Sequence, residues 1–144
     1  MRRFENRSAL ITAAASGLGL GVAQRLAAEG ARVVIWDRDA KLLDDALEDA
    51  AAGGLDISGR ALDMMDKRAI EQAVAEIIGS HGRIDVLVNN IGGSLHVPFR
   101  FLEQSDDDWK RVMDINVTMA ITATTDTPLN SGELEINSRV HATD

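Results

Sequence analysis

Cysteine and tyrosine are both absent from the 144 residues. Without cysteine there is no disulfide framework, no thiol nucleophile and no cysteine-based metal site. Without tyrosine there is no phenol to act as a catalytic acid or base. Histidine is scarce, and His81, His96 and His141 are scattered with no metal-ligand spacing, so no metal is expected. No apolar run approaches the length that crosses a bilayer. The opening Met-Arg-Arg-Phe-Glu-Asn-Arg is basic, but Ser8 to Ala15 is too short for an h-region and leads straight into Gly17. Positive charge is in deficit, 15 Lys and Arg against 23 Asp and Glu, for a net charge of −8. A phosphate surface would repel such a chain, so neither nucleic acid nor an anionic membrane is expected as a partner. A cytoplasmic location is the expectation that remains. A hydrophobic content of 45% suffices for the core of one ordinary domain.

Short apolar runs alternate with amphipathic ones. Ala9 to Thr12 reads as a buried strand ending at a turn of small residues, and Leu18 to Glu29 as a helix closed by Gly30. Arg32 to Trp36 is a β-branched run that fits a strand covered on both faces. Asp39 is placed to cap a helix over Leu42, Leu43, Ala46, Leu47 and Ala50, stopped by Gly53-Gly54. Ser58 to Asp63 is a weaker strand. Asp66 caps a helix with the face Ile70, Ala73, Val74, Ile77 and Ile78, ended by Gly79. Val86-Leu-Val88 is a strand, and Ser105 with Asp108 forms a capping box before Trp109, Val112, Met113 and Val117. The order βαβαβαβα predicts a doubly wound, Rossmann-like parallel sheet with strand order 3-2-1-4. The Thr-rich stretch Ile121 to Pro128 predicts a poor helix.

Two motifs stand at strand ends. Thr12-Ala-Ala-Ala-Ser-Gly17-Leu-Gly19 joins the first strand to the first helix. Free N–H groups and the helix dipole there suit a cofactor pyrophosphate, provided no Cβ blocks it; the same glycines also serve an ordinary βα turn. Asp37 follows the second strand, where a carboxylate can accept from ribose hydroxyls and repel a 2′-phosphate; Arg38 beside it could instead pair with that phosphate. Asp63, with Met64 next, could accept from an adenine amine or cap a helix. Asn89-Asn90-Ile91-Gly92 ends the fourth strand, where Gly92 would leave room for a nicotinamide ribose, or the run is a plain turn. Asn116 is a polar side chain among apolar neighbours and needs a partner or a water, unless it is exposed.

These residues resemble the short-chain dehydrogenase/reductase family, whose Thr-Gly-x-x-x-Gly-x-Gly turn is matched by Thr12 to Gly19 with Ala13 for the first Gly. His81-Gly-Arg-Ile-Asp-Val-Leu-Val-Asn-Asn, Pro98-Phe99, Asp108-Trp109 and Asp114-Ile-Asn116-Val117 extend the likeness over residues 7–119. The resemblance implies an oxidoreductase that passes hydride between a nicotinamide and a secondary alcohol or ketone. NAD is expected over NADP, and a homo-oligomer is implied. It places Thr12, Ser16, Gly17, Leu18, Gly19, Asp37, Arg38, Asp63, Met64, Asn90, Ile91 and Gly92 around the cofactor. Asn116 becomes the residue that holds a water in the proton relay.

The likeness then decays. The family's Tyr-x-x-x-Lys is missing, since there is no Tyr and the last Lys is Lys110. A cofactor-binding region over 1–120 and a divergent tail over 121–144 are the expected organisation. Leu134 to Ser138 faintly resembles the family's Ser-bearing fifth strand, which leaves a remnant strand at 133–138 and Ser138 as one reading. The other, preferred here, is a frame-shifted or spliced end. The sheet is expected to be incomplete on its C-terminal side, and a catalytically inactive nucleotide-binding fragment or subunit is the alternative function.

Overall fold

A computed structural model describes residues 2–93, 95–97 and 100–129, with Phe101 in its backbone only. Pro98, Phe99, the 133–138 strand and Ser138 lie outside the described residues.

Four parallel strands form one sheet in the order β3-β2-β1-β4, as the alternation predicts. They are β1 (Ser8–Thr12), β2 (Arg32–Asp37), β3 (Ile57–Ala61) and β4 (Val86–Val88). The register pairs Leu10 with Val34 on one side and with Leu87 on the other. Apolar runs without alternation make β1 and the middle of β2 buried on both faces, because helices cover both. Ala9, Ile11, Val33, Ile35 and Val86 meet α1 (Gly17–Ala28) and α2 (Ala40–Ala52) on one face. Leu10, Val34, Trp36 and Leu87 meet Ile70, Val74 and Ile77 of α3 (Lys67–His81) on the other.

Two helix expectations need correction. Gly79 does not end α3, which runs on to His81 and closes at Gly82 in the left-handed region, φ +77°. A glycine inside a helix costs only about 1 kcal/mol. The chain reverses where positive φ is required. The Thr-rich stretch is also helical. After α4 (Asp106–Met113), opened by the Ser105–Asp108 capping box, the helix widens into a π turn over Asp114–Thr118 and continues as α5 (Met119–Asp126). Met119 and Ala123 are buried against the α3 side of the core, and Thr124 and Thr125 donate their hydroxyls to Ala120 O and Thr122 O. Packing outweighs the weak local propensity of threonine. Beyond α5, Leu129 pairs in parallel with Ile84, just before β4.

The amino edge of the sheet is sealed by charge. The buried carboxylate of Asp85 accepts from the Ser8 N–H at 2.9 Å and pairs with Arg7 at 3.2 Å and with Arg83. Burial pushes its carboxyl up, but the Ser8 N–H and the two guanidinium groups outweigh that and hold it below the usual range. Ser8 Oγ lies 2.8 Å from His81 Nδ1, and Arg32 donates to His81 O at 2.9 Å. Arg3 and Arg25 converge on buried Glu29. Among the described residues, no helix is long and apolar enough to cross a membrane.

Candidate functional site

The strand order reverses between β1 and β4, and that crevice opens at the carboxyl edge of the sheet, where parallel folds place ligands. The turn after β1 is held from both sides. Ala14 donates its N–H to Trp36 O at 3.1 Å, and Ala15 donates to Asp37 Oδ2 at 3.1 Å, both at the end of β2. Asn90, at the end of β4, donates Nδ2 to Ala13 O at 2.8 Å.

Thr12 has no exposed surface. Its hydroxyl accepts from the N–H of Asn90 at 3.0 Å and of Ile91 at 3.2 Å, so it ties the end of β4 to β1. Its contribution to the site is therefore positional. Ala13 stands at φ +51°, in the left-handed region that costs an L-residue about 1 kcal/mol or more.

Ser16, Gly17 and Leu18 are exposed at the mouth. Ser16 occupies the N-cap of α1 but makes no side-chain cap, and the first turn of α1 holds no acidic residue. By contrast Asp39, Asp66 and Ser105 cap α2, α3 and α4 with their side chains. The start of α1 thus presents uncapped backbone N–H groups. Gly17 has φ +58°, and a Cβ built there would meet nothing within 4 Å. The turn needs a residue tolerant of positive φ, and the space outside it is open.

Gly19 and Gly92 are small for a different reason from the one the motif suggests. A Cβ at Gly19 would stand 2.6 Å from Asn90 Nδ2 and 2.9 Å from Ala13 O. A Cβ at Gly92 would stand 2.7 Å from Asn116 Oδ1. The room expected at Gly92 for a ribose is taken up, on its Cβ side, by the Asn116 amide. Asn116 lies in the π turn and clasps Gly93: Gly93 N–H donates to Oδ1 at 3.0 Å, and Nδ2 donates to Gly93 O and Val112 O, each at 2.8 Å. Its side chain is both exposed and partnered. Asn89, beside Asn90, donates to Thr124 Oγ1 of α5 at 2.9 Å, which ties β4 to that helix.

On the far side of Asp37 an open cavity of about 620 Å³ is lined by Arg38, Asp39, Ala40, Ala61, Leu62 and Asp63. Asp37 divides its oxygens: Oδ2 goes to Ala15 and Oδ1 accepts from the Asp39 N–H at 3.1 Å. Asp63 is exposed and accepts from the Met65 N–H at 2.9 Å, while Met64 is buried. The cavity wall at Ala40, Ala61 and Leu62, and the Asp37–Ala15 bond, are absent from the motif reading. Small residues beside the two strand ends were the available signal for the wall, and nothing in the sequence pairs Asp37 with Ala15. Lys110 is held by Asp114 at 2.6 Å, which keeps its amine charged by raising its pKa. Among the described residues no group of His, Asp or Glu could hold a metal ion.

The short chain dehydrogenase family profile matches residues 7–128. A meso-2,3-butanediol dehydrogenase of Serratia marcescens is 39% identical over 121 residues, 80% of this chain and 44% of that protein. A gluconate 5-dehydrogenase of Gluconobacter oxydans (strain 621H) is 40% identical over 109 residues, 76% of this chain and 42% of that protein. A point variant of actinorhodin polyketide ketoreductase, solved with NADPH, superposes with a TM-score of 0.78 at 34% identity, covering 83% of this chain and 45% of that one. The chain spans less than half the length of the two curated relatives. Its match to the profile covers most of its length, the strand order is that of a Rossmann-like sheet, and the turn after β1 carries Gly17 and Gly19: the chain belongs to the short-chain dehydrogenase family.

Proposed function

We propose that this chain supplies the nucleotide-binding part of an NAD(P)-dependent oxidoreductase acting on a secondary alcohol or ketone. The observation that carries the reading is the uncapped start of α1, open at Gly17 and set at the strand-order reversal. The residues fit such a group: a pyrophosphate meets free N–H donors at Ser16, Gly17, Leu18 and Gly19 and no competing carboxylate in that first turn. The cavity beside Asp37 suits an adenosine, with Ala40, Ala61 and Leu62 as apolar wall and Asp63 as acceptor beside Met64. Asn90, Ile91 and Gly92 border the nicotinamide side, and Thr12 holds them there. The bound nicotinamide supplies hydride donation or acceptance at carbon. Asn116, on the exposed face of the π turn, is the residue of this chain nearest in role to a proton relay.

Asp37 favours NAD over NADP, since a 2′-phosphate would face a carboxylate; Arg38 is the counterweight. Calorimetric titration of the chain with NAD and NADP tests this. NAD is expected to bind the tighter, and Asp37→Ala to remove most of the preference, roughly tenfold or more for a lost charged hydrogen bond. Tighter NADP binding by the unaltered chain overturns the assignment, and binding of neither overturns the cofactor reading. A second reading, a nucleotide-binding subunit without turnover of its own, is favoured by the absence of tyrosine from all 144 residues. It predicts no NADH formation from simple secondary alcohols by the isolated chain.

A further inference from the structure

The three small residues that follow Thr12 each carry one tie. Ala13 O is held by Asn90 from β4, Ala14 N–H by the Trp36 carbonyl, and Ala15 N–H by the Asp37 carboxylate. The second tie is backbone to backbone and changes only if the sheet changes, whereas the first rests on the side-chain amide of Asn90. The third depends on one exchangeable side chain. Ala15 is only 4% exposed, so its N–H has little access to water as a substitute partner. The turn it stabilises includes Ala13 at φ +51°, a conformation that persists in a non-glycine residue only where surroundings over-determine it. The other oxygen of the same carboxylate accepts from the Asp39 N–H, and Asp39 in turn caps α2 by accepting from Leu42 N–H. The carboxylate is thereby held in place from its own strand end and aimed at the turn.

We propose that Asp37 is the latch of the glycine-rich turn, a positioning residue that holds the anion-receiving loop through the Ala15 N–H, in addition to any contact with a ribose. The ligand part of this inference rests on the cofactor reading above; the latch itself does not. The two roles differ in sign toward an anion that lacks a ribose. A carboxylate that only repels phosphate weakens pyrophosphate binding, so its removal strengthens that binding. A carboxylate that shapes the loop supports pyrophosphate binding, so its removal weakens it.

The experiment compares the full chain with Asp37→Ala and Asp37→Asn, free of ligand, by amide hydrogen exchange at Ala14 and Ala15. Loss of the latch is expected to speed exchange at Ala15 by about tenfold or more in Asp37→Ala, with Ala14 changed by less than about threefold. Asp37→Asn, which keeps one carbonyl acceptor, falls between and remains informative if the alanine variant fails to fold. Inorganic pyrophosphate is then titrated into each protein, and weaker binding to Asp37→Ala is the expected result. Unchanged Ala15 exchange in both variants, or tighter pyrophosphate binding to Asp37→Ala, overturns the latch. Should the unaltered chain bind neither pyrophosphate nor NAD, the cofactor reading falls and the exchange result alone decides the latch.

Discussion

The two edges of the one sheet are finished with opposite chemistry. At the amino edge, guanidinium groups close over buried carboxylates: Arg7 and Arg83 on Asp85, Arg3 and Arg25 on Glu29. At the carboxyl edge the contacts run between hydroxyl, amide and carboxylate side chains and the backbone, and Ala13 is held at positive φ. At the charged edge α1 and α3 end rather than begin. The other edge leaves the start of α1 without a side-chain cap. A strand end whose polar groups are all matched by side chains is closed to ligands, whereas unmatched donors on a fixed frame invite one.

Asp85→Ala tests the sealed edge most severely. It orphans the buried Ser8 N–H and leaves Arg7 and Arg83 without their shared carboxylate. A loss of about 3 kcal/mol is expected by urea denaturation. A loss below about 1 kcal/mol would mean that the cluster is a surface ornament and that the contrast between the edges is false. Thr12→Val makes the matching test at the open edge. The shape is kept, but the Asn90 and Ile91 N–H groups lose their acceptor, at an expected cost of about 2 kcal/mol. A neutral result there would show that the end of β4 is held by other means.

Ala13→Gly sharpens the comparison from the opposite direction. Relief of the left-handed strain should stabilise the fold by about 1 kcal/mol, partly offset by the greater freedom of glycine in the unfolded chain, and raise the melting temperature. A lower melting temperature would contradict strain at that turn. The smallest effect is pH-dependent. The Arg3 guanidinium, against the pull of burial and with help from Arg25, holds Glu29 at about 2 in place of the ordinary 4.5. Because the folded value is depressed, the stabilisation is fully present above about 4.5 and fades as pH falls toward 2. Glu29→Gln should flatten the acid limb of a stability–pH curve in that window, and an unchanged limb would assign acid sensitivity to other groups such as Asp85.

Much of the frame was legible because burial on both faces makes a strand an unbroken apolar run, as in Val33 to Trp36. The strand order followed from the alternation and from the glycine turn. Errors arose where a long-range contact overrode a local signal. Gly79 reads as a stop, yet the positive φ that ends the helix is at Gly82. Thr122, Thr124 and Thr125 read as poor helix formers, yet Met119 and Ala123 bury that segment against the core. At the site, the motif identified which residues gather but not why two of its glycines must be small. Gly19 and Gly92 make room for the amides of Asn90 and Asn116, contacts between residues distant in sequence. The Asp37–Ala15 bond crosses from one strand end to the next turn and leaves no pattern in the chain.

The close approach of Gly92 to Asn116 constrains the order in which this site can change. With the Asn116 amide in place, a methyl group at position 92 would collide with an oxygen 2.7 Å away, so Gly92→Ala is harmful on that background. Once Asn116 has shortened to a residue without that oxygen, the same substitution has space to enter. The two substitutions are therefore non-additive, and the order that loses the Asn116 amide first is the easier one. A lineage that lost Asn116 would be freer to drift at the neighbouring glycine than one that kept it.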